Sequence, residues 1–439
     1  MLKLIQYQFQ HNKKQWLGIS PVIFVSSLVI GLAINGYINV DINSQAFAGL
    51  PDPKPIFMFP VVFGGITLFF AISTLISMLI EMFKDDYTLL AVLSASRFQL
   101  SFLVGGQLFI ISSLVSFVAY LCSIPITSTY YYFLQYFFGK NVLPDIQFQM
   151  SLLGCVVTVL LISLLAFFSG CYYTFKGIKE KNTTKFKHIL SIMIKGSLLC
   201  TLIMIWGALF YQIFQDNTIL MRAQLIFNIV ILDIVIIYQV SPYLQILFIK
   251  LFSKLIFRSK FMFISSKWNL LFRKPYIKSV SAAIIGAILL ISSFQMISQN
   301  ILAQFQNNSD LEMKVSFIVY VGAPILIVLG NIISIAFLSS YQEKSEINQF
   351  EILGVSNYQM IMVKLGESLF LTIVIAAISL LLTIKILALI YYSLNGVPLK
   401  ELNYSGLILS NITVSTILFV LLFITKSFYF IYKTNKNNC

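Results

Sequence analysis

The chain has few charged residues. Asp, Glu, Lys and Arg make up 10% of its 439 residues, whereas a typical soluble domain has about 25%. Hydrophobic residues make up 58% and the mean hydropathy is +0.88, a balance that excludes a water-soluble fold. Apolar runs recur at about the 20-residue length that crosses the hydrocarbon core as a helix. We therefore expect an all-α membrane protein and not a barrel.

The residue types that build metal, disulfide and nucleotide sites are also scarce. The sequence has two histidines, far apart, and no Gly-x-x-x-x-Gly-Lys-Ser/Thr phosphate loop. The five cysteines show neither a disulfide framework nor a zinc-ligand spacing; they are Cys122, Cys155, Cys171, Cys200 and Cys439. We expect no catalytic residue, no metal site and no cofactor bound by this chain.

Ten apolar runs are predicted to be transmembrane helices. They cover residues 16–38, 57–82, 98–125, 150–175, 189–214, 223–249, 280–302, 316–341, 365–393 and 404–432. With these spans, 23 of the 30 Lys and Arg residues fall on the side of the N terminus and five on the other side, while Lys195 and Lys385 lie inside spans. Because short cytoplasmic loops hold the excess of positive charge, we predict that both termini are cytoplasmic.

The positive excess, +14 overall, is expected to attract anionic lipid at the inner surface. Two basic amphipathic stretches, one before residue 16 and one from Phe252 to Lys278, are predicted to lie in that interface as helices. The sequence contains no soluble basic domain with interleaved aromatic residues, so it gives no indication of nucleic-acid binding.

The two ends of the chain align at a constant offset of 260 residues. Residues 93–100 (LSASRFQL) lie over residues 353–360 (LGVSNYQM), and spans one to four lie over spans seven to ten. One offset that matches spans and loops together indicates an internal repeat. Since an even number of spans separates the copies, both are predicted to face the same way. The predicted domains are a four-helix module at 1–188, a connecting hairpin at 189–250 and a second four-helix module at 251–439.

Two inner loops differ from the other inner loops, which are plainly basic. Residues 83–87 (FKDDY) and 342–346 (QEKSE) contain acids and bases in near balance. A loop that faces anionic lipid gains from being basic, so a mixed, helix-forming loop that occurs twice indicates docking to a protein.

These loops and the turns after them resemble the FtsX-like permease family of ABC transporters, relatives of the MacB-type and bacitracin-type peptide permeases. Members carry an acidic stretch after the second helix of a four-helix module, then a Leu-Gly-Ala-Ser-like turn and a Glu-containing helix. The resemblance covers residues 1–175 and 261–435, but the large extracellular domain of the peptide-sensing relatives is replaced here by residues 303–315 alone. The positions that carry it are Glu343, Glu346, Glu351, Leu353, Gly354, Ser356 and Glu367, with a weaker copy at Asp85, Asp86, Leu93, Ser94, Ser96 and Gln107.

The resemblance implies the permease subunit of an ABC transporter in a bacterial plasma membrane. A separate cytosolic ATPase, two copies per chain, would bind ATP and Mg²⁺ and drive export or extraction of a peptide, lipid or other amphipathic molecule, including antimicrobial peptides in resistance or immunity. Two alternatives stay open: a mechanical transmitter that controls an extracellular hydrolase or a sensor kinase, and an ion-coupled secondary transporter. The expected ATPase-coupling residues are Asp85, Asp86, Leu93, Ser96, Gln99, Glu343, Glu346, Glu351, Gly354, Ser356 and Gln359.

Three ionisable residues inside spans are further candidates. Asp233 and Lys385 would each cost about 2.5–3.5 kcal/mol at the bilayer centre on insertion scales, so each is expected to face protein or water. Substrate contact and structural hydrogen bonding are both open for them. Glu367 follows Lys364 by three residues, a spacing that permits a local ion pair near the inner surface; gating is the alternative role.

Overall fold

The structure is a computed structural model in which part of the chain is described. The residues it describes are 13, 15–50, 52–92, 95–177, 185–215, 218–255, 261–272, 274–301, 319, 322–335, 337–339, 349–350, 352–394 and 402–437. Of the residues that carry the family resemblance or are expected to couple to an ATPase, five lie outside this set: Leu93, Ser94, Glu343, Glu346 and Glu351.

The described residues form helices and contain no β-strand. In this part of the chain, ten helices are long and apolar enough to cross a membrane, namely all those below except α3 and α8. The prediction of an all-helical protein with ten helices that could span a membrane is therefore confirmed for the described residues. The helices are α1 (Ser20–Ile42), α2 (Lys54–Met82), α3 (Lys84–Val92), α4 (Arg97–Phe138), α5 (Leu152–Gly177), α6 (Lys185–Ile213), α7 (Ile219–Leu255), α8 (Phe261–Phe272), α9 (Lys274–Asn300), α10 (Gly322–Ser339), α11 (Asn357–Ser393) and α12 (Ser405–Asn437).

The chain divides into two compact units. Unit 1 comprises Met1–Ile178 and Asp310–Gln342, and unit 2 comprises Lys179–Ser309 and Glu343–Cys439. The helix α10 therefore belongs to the unit that holds α1 to α5, although in sequence it follows α9 of the other unit. The module boundaries predicted after residues 188 and 250 stay predictions.

Inside unit 1, α10 packs against α1 at close range. The backbone N–H of Val22 lies in the first turn of α1, where helical N–H groups have no partner within the helix, and it donates to Ser334 Oγ at 3.0 Å. One turn away, a Cβ placed on Gly330 would lie 3.1 Å from the side chain of Val25. Glycine at this position therefore allows the two helices to approach each other closely.

The helix α4 is longer than the sequence predicts. The predicted third span ends at Pro125, which lacks a backbone N–H, but α4 continues through this residue. The segment that follows holds the extension in place, because Tyr131 donates to the carbonyl of Pro144 at 2.6 Å and Gln135 donates to the carbonyl of Leu143 at 2.8 Å. Part of the surface predicted as an outer loop is therefore a helix end covered by an extended segment.

The central helix of unit 2 is α9, in which 94% of the most apolar stretch is buried, whereas the corresponding share in the peripheral helix α6 is 6%. Polar side chains join α9, α11 and α12. The hydroxyls of Ser292 and Ser410 lie 2.6 Å apart, and Ser379 donates to Asn411 Oδ1 at 2.7 Å. The carboxamide of Asn411 also donates to Thr383 at 3.3 Å. Such bonds help to fix the packing of neighbouring helices in an apolar environment.

Candidate docking segments and intramembrane polar groups

The Ser-x-x-Gln sequences at 96–99 and 356–359 form the same helix start. Ser96 Oγ accepts from the backbone N–H of Gln99 at 3.2 Å, and Gln99 Oε1 accepts from the backbone N–H of Ser96 at 3.0 Å. The corresponding distances at Ser356 and Gln359 are 3.3 and 3.1 Å. These are capping boxes, which satisfy N–H groups that would otherwise be unpaired at the start of α4 and α11.

The turn before each capping box is also shared. The N–H of Ala95 donates to the carbonyl of Leu90 at 3.2 Å, and the N–H of Val355 donates to the carbonyl of Phe350 at 3.0 Å. In each case the N–H bonds to the carbonyl five residues earlier, which is the bond that ends a helix in a Schellman motif. In segment 2, Gly354 has the left-handed conformation that the motif requires, with φ of +75°. We refer to residues 84–99 as segment 1 and to residues 349–359 as segment 2.

Both segments expose large apolar side chains at equivalent positions. Val92 is 86% exposed, and Ile352, which lies 260 residues later, is 85% exposed. Phe98 and Tyr358 form a second pair with the same offset, 73% and 64% exposed. None of these four residues was expected to be a coupling residue, although the offset of 260 aligns each pair.

Segment 1 also contains exposed charge at its start. Asp85 and Asp86 lie in α3, and Asp86 is exposed. Lys84 Nζ lies 3.6 Å from Glu81 Oε1, and both side chains are about half exposed. The structure thus combines charged and apolar groups on segment 1, as expected of a polar rim beside an apolar contact.

The start of segment 1 is anchored to unit 1 by aromatic rings. Trp16 is fully buried and stacks on Phe83, with the ring centroids 5.5 Å apart. Phe83 in turn contacts Tyr87 of α3 at 6.0 Å. Tyr87 is fully buried, and burial raises the pKa of its hydroxyl. A displacement of α3 would therefore act on the residues that lead into α1.

Segment 2 leads into a part of α11 that is bonded to the short helix α8. Ser266 of α8 donates to the carbonyl of Val363 at 2.8 Å, and Asn269 donates to Glu367 Oε1 at 3.0 Å. Glu367 also accepts from Lys364 at 3.2 Å, in an ion pair with both side chains buried. The local ion pair that the spacing permits is present. Its contacts with α8 were not foreseen, because Ser266 and Asn269 lie about 100 residues away in sequence.

The structure brings Asp233 and Lys385 together. Lys385 Nζ of α11 lies 2.5 Å from Asp233 Oδ2 of α7, and the same ammonium lies 5.1 Å from the ring centroid of Trp206 on α6. Asp233 is therefore covered by protein and Lys385 is paired with it, which lowers the cost that an isolated charge has in a membrane. Trp206 was not singled out from the sequence, since a lone tryptophan in an apolar run carries no pattern.

The described residues contain no group of three or more His, Cys, Asp or Glu side chains that could hold a metal ion. In comparisons with known proteins, no family model, curated protein or solved structure matches the chain.

Proposed function

We propose that the chain is the permease subunit of an ABC transporter of the FtsX-like type. A separate cytosolic ATPase, carrying ATP and Mg²⁺, docks on segments 1 and 2, with one copy on each. Closure of the two ATPase copies on each other when they bind ATP drives export or extraction of a peptide, lipid or other amphipathic molecule. The observation that carries this proposal is the occurrence, 260 residues apart, of the same helix ending, the same capping box and the same exposed apolar pair.

The exposure of the pairs Val92/Ile352 and Phe98/Tyr358 is unfavourable unless a partner covers them. Full burial of one aliphatic side chain is worth about 1.5–3 kcal/mol. Val92 and Ile352 forgo nearly all of this in the isolated chain. Large apolar side chains that recur at equivalent turns are typical of anchors that fill pockets on a partner.

The distribution of charge favours a cytosolic partner. The predicted orientation places both segments on the side that holds 23 of the Lys and Arg residues. A lipid surface would favour a basic contact, whereas segment 1 combines Asp85 and Asp86 with Lys84 and Arg97. This mixture suits a protein partner whose own surface carries both signs of charge.

Contacts within each unit provide a route for movement. In unit 1, a push on α3 would reach Trp16 through Phe83. In unit 2, a push on the start of α11 would reach α8 through Glu367 and Asn269. Rigid helices joined by buried contacts can transmit small displacements in this way.

Site-specific photo-crosslinking tests the proposal. A benzophenone amino acid placed at Phe98 or Tyr358 of the full chain, in cells that carry the native genome, should crosslink to a protein that contains an ATP-binding phosphate loop. Matched controls are Phe102, one turn further along α4 and 56% exposed, and Tyr136, 84% exposed near the far end of α4. Both controls are expected to give no ATPase adduct.

Two results would contradict the proposal. One is the recovery of no ATPase from either test position although the labelled chain reaches the membrane at its normal level. The other is equal capture of an ATPase at Tyr136, because that position is predicted to lie on the opposite side of the membrane.

A further inference from the structure

The Asp233–Lys385 pair lies at one edge of the apolar stretches of its helices. In α11, the 17 residues from 368 to 384 that precede Lys385 carry no charge, and in α7, the 16 residues from 234 to 249 that follow Asp233 carry none. At 1.5 Å per residue, these stretches are about 26 and 24 Å long, close to the roughly 30 Å of the hydrocarbon core. With the predicted orientation, the lengths of the two uncharged stretches place the Asp233–Lys385 pair at the level of the outer leaflet's interface.

The two charges of the pair are unequally exposed. The side chain of Lys385 is 33% exposed, whereas that of Asp233 is 5% exposed. The pair is therefore a dipole whose positive end is open to the membrane and whose negative end is covered by protein. Lysine can extend its ammonium along an apolar surface toward lipid headgroups, and an ammonium has three donors, more than one carboxylate oxygen uses.

Aromatic rings continue from this ammonium along α6. Trp206 stacks on Phe210 with centroids 5.2 Å apart, Phe210 contacts Phe214 at 5.0 Å, and Phe214 contacts Tyr392 of α11 at 5.8 Å. Trp and Tyr concentrate where a membrane protein meets the headgroup region. The peripheral position of α6 leaves this side of unit 2 open to lipid.

We propose that the surface formed by Lys385 and the aromatic row from Trp206 to Tyr392 binds the anionic phosphate headgroup of an outer-leaflet amphipath. Lys385 donates to a phosphate oxygen while it keeps its bond to Asp233, and the aromatic row from Trp206 to Tyr392 packs beside the headgroup. The apolar chain extends toward the bilayer centre past Leu381, one turn from Lys385 and 58% exposed.

This proposed headgroup site occurs in one half of the chain. The residue 260 positions before Lys385 is Pro125, and the hairpin of α6 and α7 has no counterpart in the repeat. The inference concerns the lipid-facing side of unit 2 and is independent of whether an ATPase docks on segments 1 and 2.

The intrinsic fluorescence of Trp206 provides the test. Trp16, Trp206 and Trp268 are the three tryptophans of the chain, so W16F/W268F leaves Trp206 as the sole emitter. This full-length variant is reconstituted in phosphatidylcholine bilayers, and dibrominated phosphatidylglycerol or dibrominated phosphatidylcholine with the same acyl chains is titrated in. The anionic lipid should quench Trp206 at a lower mole fraction, roughly fivefold, as one lysine near anionic lipid implies.

Variants of the pair separate headgroup binding from a structural role. The quantity compared is the mole fraction of brominated phosphatidylcholine needed to quench Trp206 divided by that of brominated phosphatidylglycerol. K385Q should reduce this ratio to about one. D233N removes the negative charge beside Lys385 and should raise the ratio. D233N/K385Q keeps the site neutral should the single variants fail to fold, and it should also show no preference. Equal quenching by the two lipids in the parent variant would overturn the inference. A preference that survives in a folded K385Q or D233N/K385Q variant would overturn it as well.

Discussion

Asn39 and Asn300 make the same contact in the two units. Asn39 donates to the carbonyl of Gln149 at 3.0 Å and accepts from its N–H at 2.8 Å. Asn300 donates to the carbonyl of Asn403 at 3.1 Å and accepts from its N–H at 2.7 Å. Each carboxamide thus satisfies both backbone groups of one residue near the start of a later helix, α5 in unit 1 and α12 in unit 2.

Replacement of either asparagine by alanine should destabilise its unit. Two hydrogen bonds at about 1 kcal/mol each give an expected loss of about 2 kcal/mol in the free energy of unfolding. The measurement is a denaturant titration of the purified chain in detergent. N43A is the matched control, because Asn43 makes a local bond to the carbonyl of Asn39 within the same turn. An equal loss in N43A and N39A would show that the bond to Gln149 has no special role.

The capping boxes should hold the first turns of α4 and α11. S96A and S356A are each expected to cost about 1 kcal/mol of local stability, so the amides of residues 97–99 and 357–359 should exchange with solvent roughly five times faster. S96T and S356T should retain most of the protection, since threonine also caps helices. The control S113A removes a hydroxyl bonded within the interior of α4 and should leave exchange at 97–99 unchanged.

The buried Lys364–Glu367 pair should be sensitive to loss of one partner. E367A leaves a buried ammonium without this carboxylate, for which a loss of about 3–5 kcal/mol in unfolding free energy is expected. The double variant K364M/E367M replaces the pair by apolar side chains and should lie within about 1 kcal/mol of the parent chain. Thermal unfolding in detergent compares the three. A double variant as unstable as E367A would mean that Glu367 acts through another contact, such as that with Asn269.

The segment after α4 should respond to acid. Hydrogen bonds from Lys140, and secondly from Gln135, hold the pKa of Asp145 below its ordinary value. The carboxylate therefore stabilises the segment above the unfolded-state pKa of about 3.9, and this contribution is lost as the pH falls through the lower folded-state pKa.

A solvent-sensitive dye tests this acid response. With the dye on N141C, in a chain whose other cysteines are alanine, the emission should change below about pH 4. D145N should abolish the change. A transition that persists in D145N would assign it to another group.

The sequence was sufficient to predict the ten helices, because the length and apolarity of a run determine whether it can cross a bilayer. It also located both Ser-x-x-Gln turns, since the offset of 260 aligns them. The membership of α10 in unit 1 could not be predicted in the same way. It depends on the contact of Ser334 with Val22, 312 residues away, and both residues look ordinary in isolation.

The candidate polar site was predicted in part. Asp233 and Lys385 were recognisable because charge is rare inside apolar runs, but their pairing across 152 residues depends on how α7 and α11 pack. The end predicted for the third span, the proline at residue 125, lies before the end of α4 at Phe138. Here Tyr131 and Gln135, beyond the proline, are held by side-chain bonds to the following segment, and these bonds favour continuation of the helix.

The number of ATPase subunits bound to one chain tests the central claim most directly. The full chain, purified from native membranes in mild detergent and weighed by native mass spectrometry, should carry two ATPase copies. V92D or I352D should weaken binding at one segment at least about tenfold, because each removes an apolar contact and introduces a charge. A chain that purifies with no ATPase, or that keeps both copies when Val92 and Ile352 are both aspartate, would contradict docking on segments 1 and 2.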